Sequence, residues 1–106
     1  MKTSQTAYEE TLVINAAVDG DVTTPIETDW AFAEIDEIAW SVGSLGYVEV
    51  SWQGNPAGKS DFTLSGNGSL RVPMRKPKES NGLLTVKFIN FDRLDACMIA
   101  ITGDIQ

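Results

Sequence analysis

Few residues in this 106-residue chain have the chemistry to form or break bonds. Cys97 is the single cysteine, and the sequence contains no histidine. Histidine is the commonest general base and transition-metal ligand, so the thiol has no imidazole to activate it. Cys97 also shares period-two spacing with Ile99 and Ile101. That spacing places it in an inward strand row, where a free thiol behaves as a small inert hydrophobe. One cysteine also excludes an intrachain disulfide and a thiolate metal cluster. Glu34, Asp36 and Glu37 are of the type that glycoside acid–base chemistry uses. On a strand, however, Glu34 and Asp36 share a face, whereas a substrate cleft needs carboxyls facing each other across it, so the three read as a surface patch. Asp19-Gly20-Asp21 falls short of a calcium loop, with neither the third alternating ligand nor the distal glutamate, and reads as a turn. The expectation is a chain that is not an enzyme and has no cofactor and no metal site.

What remains is chemistry of contact. Arg75, Lys76 and Lys78 form one basic cluster around Pro77. Residues 1–53 hold ten acids and one base, a net of −9, whereas residues 54–106 hold five acids and seven bases, a net of +2. The overall charge of −7 argues against nucleic acid, because nothing balances phosphate over the whole surface and basic residues are not interleaved with aromatic ones. The uneven distribution suggests a polarised body, acidic toward solvent and basic toward an acidic partner. Trp30 and Tyr47 are the aromatics placed for exposure, whereas Trp40 and Trp52 share parity with aliphatic neighbours and belong to a core. Arg75, Lys76, Lys78, Trp30 and Tyr47 are therefore the candidate partner-binding residues. No membrane contact is expected: residues 1–10 lack the apolar core of a signal peptide, and runs such as Met98–Ile101 are far short of the ~18 apolar residues of a span.

The elements that position these residues read as strands. Val48, Val50 and Trp52 alternate with Tyr47, Glu49 and Ser51; Leu84, Val86 and Phe88 alternate with Thr85 and Lys87. Clusters of glycine, asparagine and aspartate break the chain every few residues. Short alternating runs at this spacing predict an all-β fold, a small antiparallel β-sandwich or barrel, jelly-roll-like, of about 7–8 short strands. Ile35, Ile38, Ala39 and Val42 also fit helical spacing with Gly43 as a stop, but Trp40 and the lack of a good N-terminal cap favour a strand. Around residues 62–72, a three-residue Gly66-Asn67-Gly68 hairpin loop pairs Leu64 with Leu70 and Phe62 with Val72, which keeps apolar side chains on one face. Residues 1–10 are expected to be a polar N-terminal arm, and residues 11–106 one sandwich domain.

Three segments then occur in order: Tyr47-Val-Glu-Val-Ser-Trp52-Gln-Gly54; Phe62-Thr-Leu-Ser65-Gly66-Asn-Gly68; and a glycine-led strand followed by a terminal apolar strand. This pattern, over roughly residues 35–104, resembles short virion structural proteins of tailed bacteriophages, notably marine ones. The Arg75-Lys76-Pro77-Lys78 loop departs from their pattern. The resemblance implies capsid decoration, or cement: a body held on the virion surface by the major capsid protein or another virion protein, made in the host cytoplasm and often a homotrimer. The basic residues would then meet an acidic shell, and the polar arm would order on a neighbouring subunit. A carbohydrate- or receptor-binding β-sandwich module, tail-associated or adhesion-like, is the alternative, with Trp30 or Tyr47 exposed on a concave face.

Overall fold

Alternation becomes strand wherever the pattern runs cleanly. The computed structural model describes residues 2–18, 25–43, 46–54, 61–71, 73–91 and 95–106, among which ten strands form. These are β1 (Lys2–Tyr8), β2 (Thr11–Val18), β3 (Ile26–Glu27), β4 (Phe32–Val42), β5 (Tyr47–Trp52), β6 (Phe62–Ser65), β7 (Asn67–Leu70), β8 (Met74–Arg75), β9 (Leu84–Ile89) and β10 (Asp95–Ile105). All pairings are antiparallel. Sheet A has the order β1-β2-β10-β4-β7, with β8 also on β4, and sheet B the order β3-β9-β5-β6. The chain passes from one sheet to the other after β2, β3, β4, β6, β8 and β9. The central orders 2-10-4-7 and 3-9-5-6 are those of an eight-stranded jelly roll, a double-sheet solution to covering both inner faces. Beyond those eight strands, β1 and the short β8 bring the total to ten, more than alternation alone suggested.

The core lies between the sheets. Val48, Val50 and Trp52 of β5, Leu84, Val86 and Phe88 of β9, and Cys97, Ile99 and Ile101 of β10 are all buried, as their parity requires. Leu12, Ile14 and Ala16 of β2 complete the facing row from sheet A. Phe88 meets Phe91 edge to face at 5.6 Å. Trp52 lies at the centre, and no described residue accepts a hydrogen bond from its Nε1. Trp40 is half-buried on the same inner face; it donates its indole proton to the Ser65 carbonyl at 2.9 Å and rests against Gly68, where a side chain would crowd the ring.

The helix-like spacing in residues 32–42 has a β explanation. Along β4 and β10, Thr102 faces Glu37 but Gly103 faces Ile35, and Asp104 faces Glu34 but Ile105 faces Phe32. Asp36 and Ala33 are thus extra residues without partners on β10, two β-bulges that each shift the parity. Phe32, Ile35 and Ile38, spaced by three, consequently all point inward and are buried.

Two expectations are corrected. Residues 62–72 do not form a hairpin: β6 pairs with β5 in sheet B, and β7 with β4 in sheet A. The chain changes sheets at Gly66, whose φ of 62° makes the corner and whose carbonyl accepts from the Val42 amide at 2.8 Å. Leu64 is buried and Leu70 is 39% exposed, so they are not mates; Val72 lies outside the described residues. The polar arm is likewise strand β1, in continuous register with β2 from Lys2 opposite Ala17 to Tyr8 opposite Thr11. Its polar side chains suit a rim position, where one face and one edge meet water.

Two glycines separate conformation from space. At Gly103 an added methyl would run into the Glu34 carbonyl and the Ile35 Cα, backbone locked in the central pairing, whereas at Gly66 it would meet nothing. Urea unfolding should show Gly103→Ala losing about 3 kcal/mol or more by overpacking. Gly66→Ala should lose only the left-handed penalty of about 1–2 kcal/mol. Equal losses would contradict the bulged register.

Candidate functional site

The predicted partner-binding residues fall into two groups at opposite ends of β4. Arg75 lies on β8 opposite Glu34, and the Lys76 amide donates to the Ala33 carbonyl at 2.9 Å, so the basic loop is bound to the start of β4. Trp30 is two residues before that strand. Tyr47 instead pairs with Ser65, at the end where Val42 meets Gly66. At ~3.3 Å per residue, the two ends are roughly 25 Å apart, so these residues do not form one site.

Within the basic group, each residue has a different environment. The Arg75 side chain is 89% exposed, and its Nε lies 3.7 Å from Glu34 Oε2, a surface ion pair worth about 0–1 kcal/mol. Lys76 is half-buried and turned back on its own loop, donating to the Ser80 carbonyl at 3.2 Å. Lys78 stands exposed in the turn that follows. Trp30 is half-buried against the core, and its carbonyl accepts from Thr28 Oγ1 at 3.0 Å. Tyr47 is half-buried too. Neither ring is the open platform that sugar stacking requires.

The expected separation of acidic and basic halves does not survive folding. Each sheet mixes strands from both halves of the sequence, because the chain changes sheets so often. Glu34 and Arg75, opposite in charge and forty-one positions apart in sequence, end up adjacent. Of the acidic trio, Glu34 engages Arg75, Asp36 sits exposed in a bulge, and Glu37 faces Thr102. Asp19-Gly20-Asp21 lies outside the described residues. Among the described residues, no group of three or more His, Cys, Asp or Glu side chains could share a metal ion.

A surface that no motif announced is the outer face of sheet A. Strand register lines up Ser4, Asn15, Met98, Ser41 and Asn67 in one row across five strands. The next outward row is Thr6, Val13, Ala100, Ala39 and Ser69. These side chains are small and uncharged except for Met98, which is 42% exposed near the middle. Charges stand at the margins of this field: Lys2 at one corner, and Glu37, Glu34 and Arg75 toward the opposite end. A shallow depression of about 390 Å³, lined among others by Lys2, Ser4, Asn15, Ala17, Ala96 and Met98, opens at the Lys2 corner. The field is neutral and spans five strands, which is wide enough for another protein. Comparisons with protein-family models, curated proteins and solved structures find no match to this chain.

Cys97 lies beneath this face, 4% exposed in the core row. Burial disfavours the thiolate and pushes its pKa from 9.0 up to about 11. A raised acid pKa contributes stability that is complete below 9 and is lost as pH rises toward 11, since the unfolded chain releases the proton first. Iodoacetamide at pH 8 should therefore leave the folded protein unlabelled and modify it on unfolding. Cys97→Ala should flatten the loss of stability between pH 9 and 11. Rapid labelling of the native protein would contradict this placement.

Proposed function

We propose that this chain is a non-enzymatic virion structural protein of a tailed bacteriophage, a capsid decoration or cement protein. In this reading it lies on the outer shell through the outer face of sheet A and binds the major capsid protein. The observation that carries the reading is that face, a broad uncharged field on a molecule of net charge −7. No charge has to be desolvated within this field, and its hydroxyl and amide groups can pair again with hydrogen-bonding groups of the partner. The net negative charge of the molecule keeps neighbouring copies from clumping. Jelly rolls occur in viral capsid proteins as well as lectins, which supports the reading as analogy of fold only. Arg75 and Lys78, exposed at the rim, add attraction to an acidic shell, with Lys76 held back by Ser80. The half-buried Trp30 and Tyr47 weaken the carbohydrate-binding alternative.

The test is co-sedimentation with bare capsids of the phage that encodes the chain. Wild-type protein should saturate the shells and raise their melting temperature. Met98→Asp with Ala100→Asp sets two charges in the neutral field and should weaken binding at least tenfold. Replacing Arg75, Lys76 and Lys78 with serine should weaken it only several-fold and reduce its salt dependence, the signature of rim charges. Wild-type protein that ignores bare capsids, or double-aspartate protein that binds them normally, would refute the proposal.

A further inference from the structure

The rims of the two sheets are not alike. β3 has two residues and follows Pro25, β6 and β7 have four each, and β8 lies between Pro73 and Pro77. Shortness and proline are the usual protections of an edge against pairing with another chain. β1 has neither. It runs seven residues in unbroken register with β2, contains no proline or bulge, and carries no charge between Lys2 and Glu9. No described residue bonds to the backbone on its outer side. The edge is also held in place: the Gln5 side chain donates to the Glu27 carbonyl and accepts from the Asp29 amide, both at 2.8 Å. These two bonds tie β1 to the rim of sheet B, so little ordering remains to be done when a further strand arrives.

Charge selects the arriving strand and its direction. Lys2 stands at one end of β1, and Glu9 and Glu10 occupy the turn at the other. A parallel mate of the same sequence would set lysine beside lysine and acid beside acid. An antiparallel mate sets each Lys2 beside the other copy's Tyr8 and acidic turn. We propose that β1 pairs with β1 of a second copy, antiparallel about a two-fold axis at Gln5, making one sheet from the two six-stranded sheets. Ser4 then lies opposite Thr6 of the second copy and Thr3 opposite Ala7, with no like charges facing each other. Tyr8, 65% exposed in the monomer, gains the Lys2 ammonium of the second copy over its ring. Each contact off the axis occurs twice, as an isologous interface requires. The axis stands perpendicular to the sheet, so the neutral outer faces of both copies point the same way. The pairing does not depend on what those faces bind.

Sedimentation equilibrium of the full chain tests it. The expected species is a dimer of about 23 kDa, twice 11.5 kDa, with a dissociation constant on the order of micromolar. Ser4→Lys with Thr6→Lys sets four ammonium groups around the axis at exposed positions. It should weaken the dimer at least tenfold and leave the thermal melt of the monomer unchanged. Lys2→Glu should also weaken it, and adding Glu9→Lys and Glu10→Lys should restore it by exchanging the charges of the same contact. A monomer throughout, a trimer, a double-lysine variant as dimeric as wild type, or no rescue by the exchange would overturn the proposal.

Discussion

The antiparallel pairing of β4 with β10 is the constraint from which the rest of the molecule follows. These are the longest strands, eleven residues each, and they lie side by side at the centre of sheet A. On one side β10 carries β2 and, through it, β1; on the other, β4 carries β7 and β8 in succession along its edge. Ile99 and Ile101 on one strand and Phe32, Ile35 and Ile38 on the other supply much of the apolar surface that meets sheet B. The two bulges in β4 make that possible, because without them Ile35 would point outward and Glu34 inward. A buried, unpaired carboxylate there would cost far more than the strand irregularity.

The regular part of this design could be read from the sequence, and the irregular part could not. The rows Val48-Val50-Trp52, Leu84-Val86-Phe88 and Cys97-Ile99-Ile101 were plain because a strand buried on one face writes its parity into every second residue. A bulge erases that record. Phe32, Ile35 and Ile38 keep a common face only through their partner strand, so their spacing by three mimics a helix. Gly66 shows a different ambiguity: a left-handed glycine serves a hairpin loop and a change of sheet equally well, and only the partners of β6 and β7 distinguish them. β1 was hidden because a rim strand has little apolar alternation to display, and its tie to the rim of sheet B rests on one glutamine side chain.

The candidate surface was legible to an even smaller extent. Exposed basic residues could be seen in the sequence, but not that Lys76 turns back on its own loop or that Arg75 meets Glu34. The neutral face has no motif at all. Ser4, Asn15, Met98, Ser41 and Asn67 come from five separate strands, and nothing unites them until register does. Charge counted along the chain misled for the same reason: a fold that alternates between sheets mixes the two halves, and polarity in sequence becomes adjacency in space.

A small jelly roll whose thiol is sealed in the core, and whose most distinctive surface is broad and uncharged, is suited to acting by contact. The most direct measurement of that account is quantitative mass spectrometry of purified virions whose genome encodes the chain. A decoration protein should be present at a constant, small-integer ratio to the major capsid protein. Its absence from the virion, or a handful of copies per particle as for a tail appendage, would contradict the account.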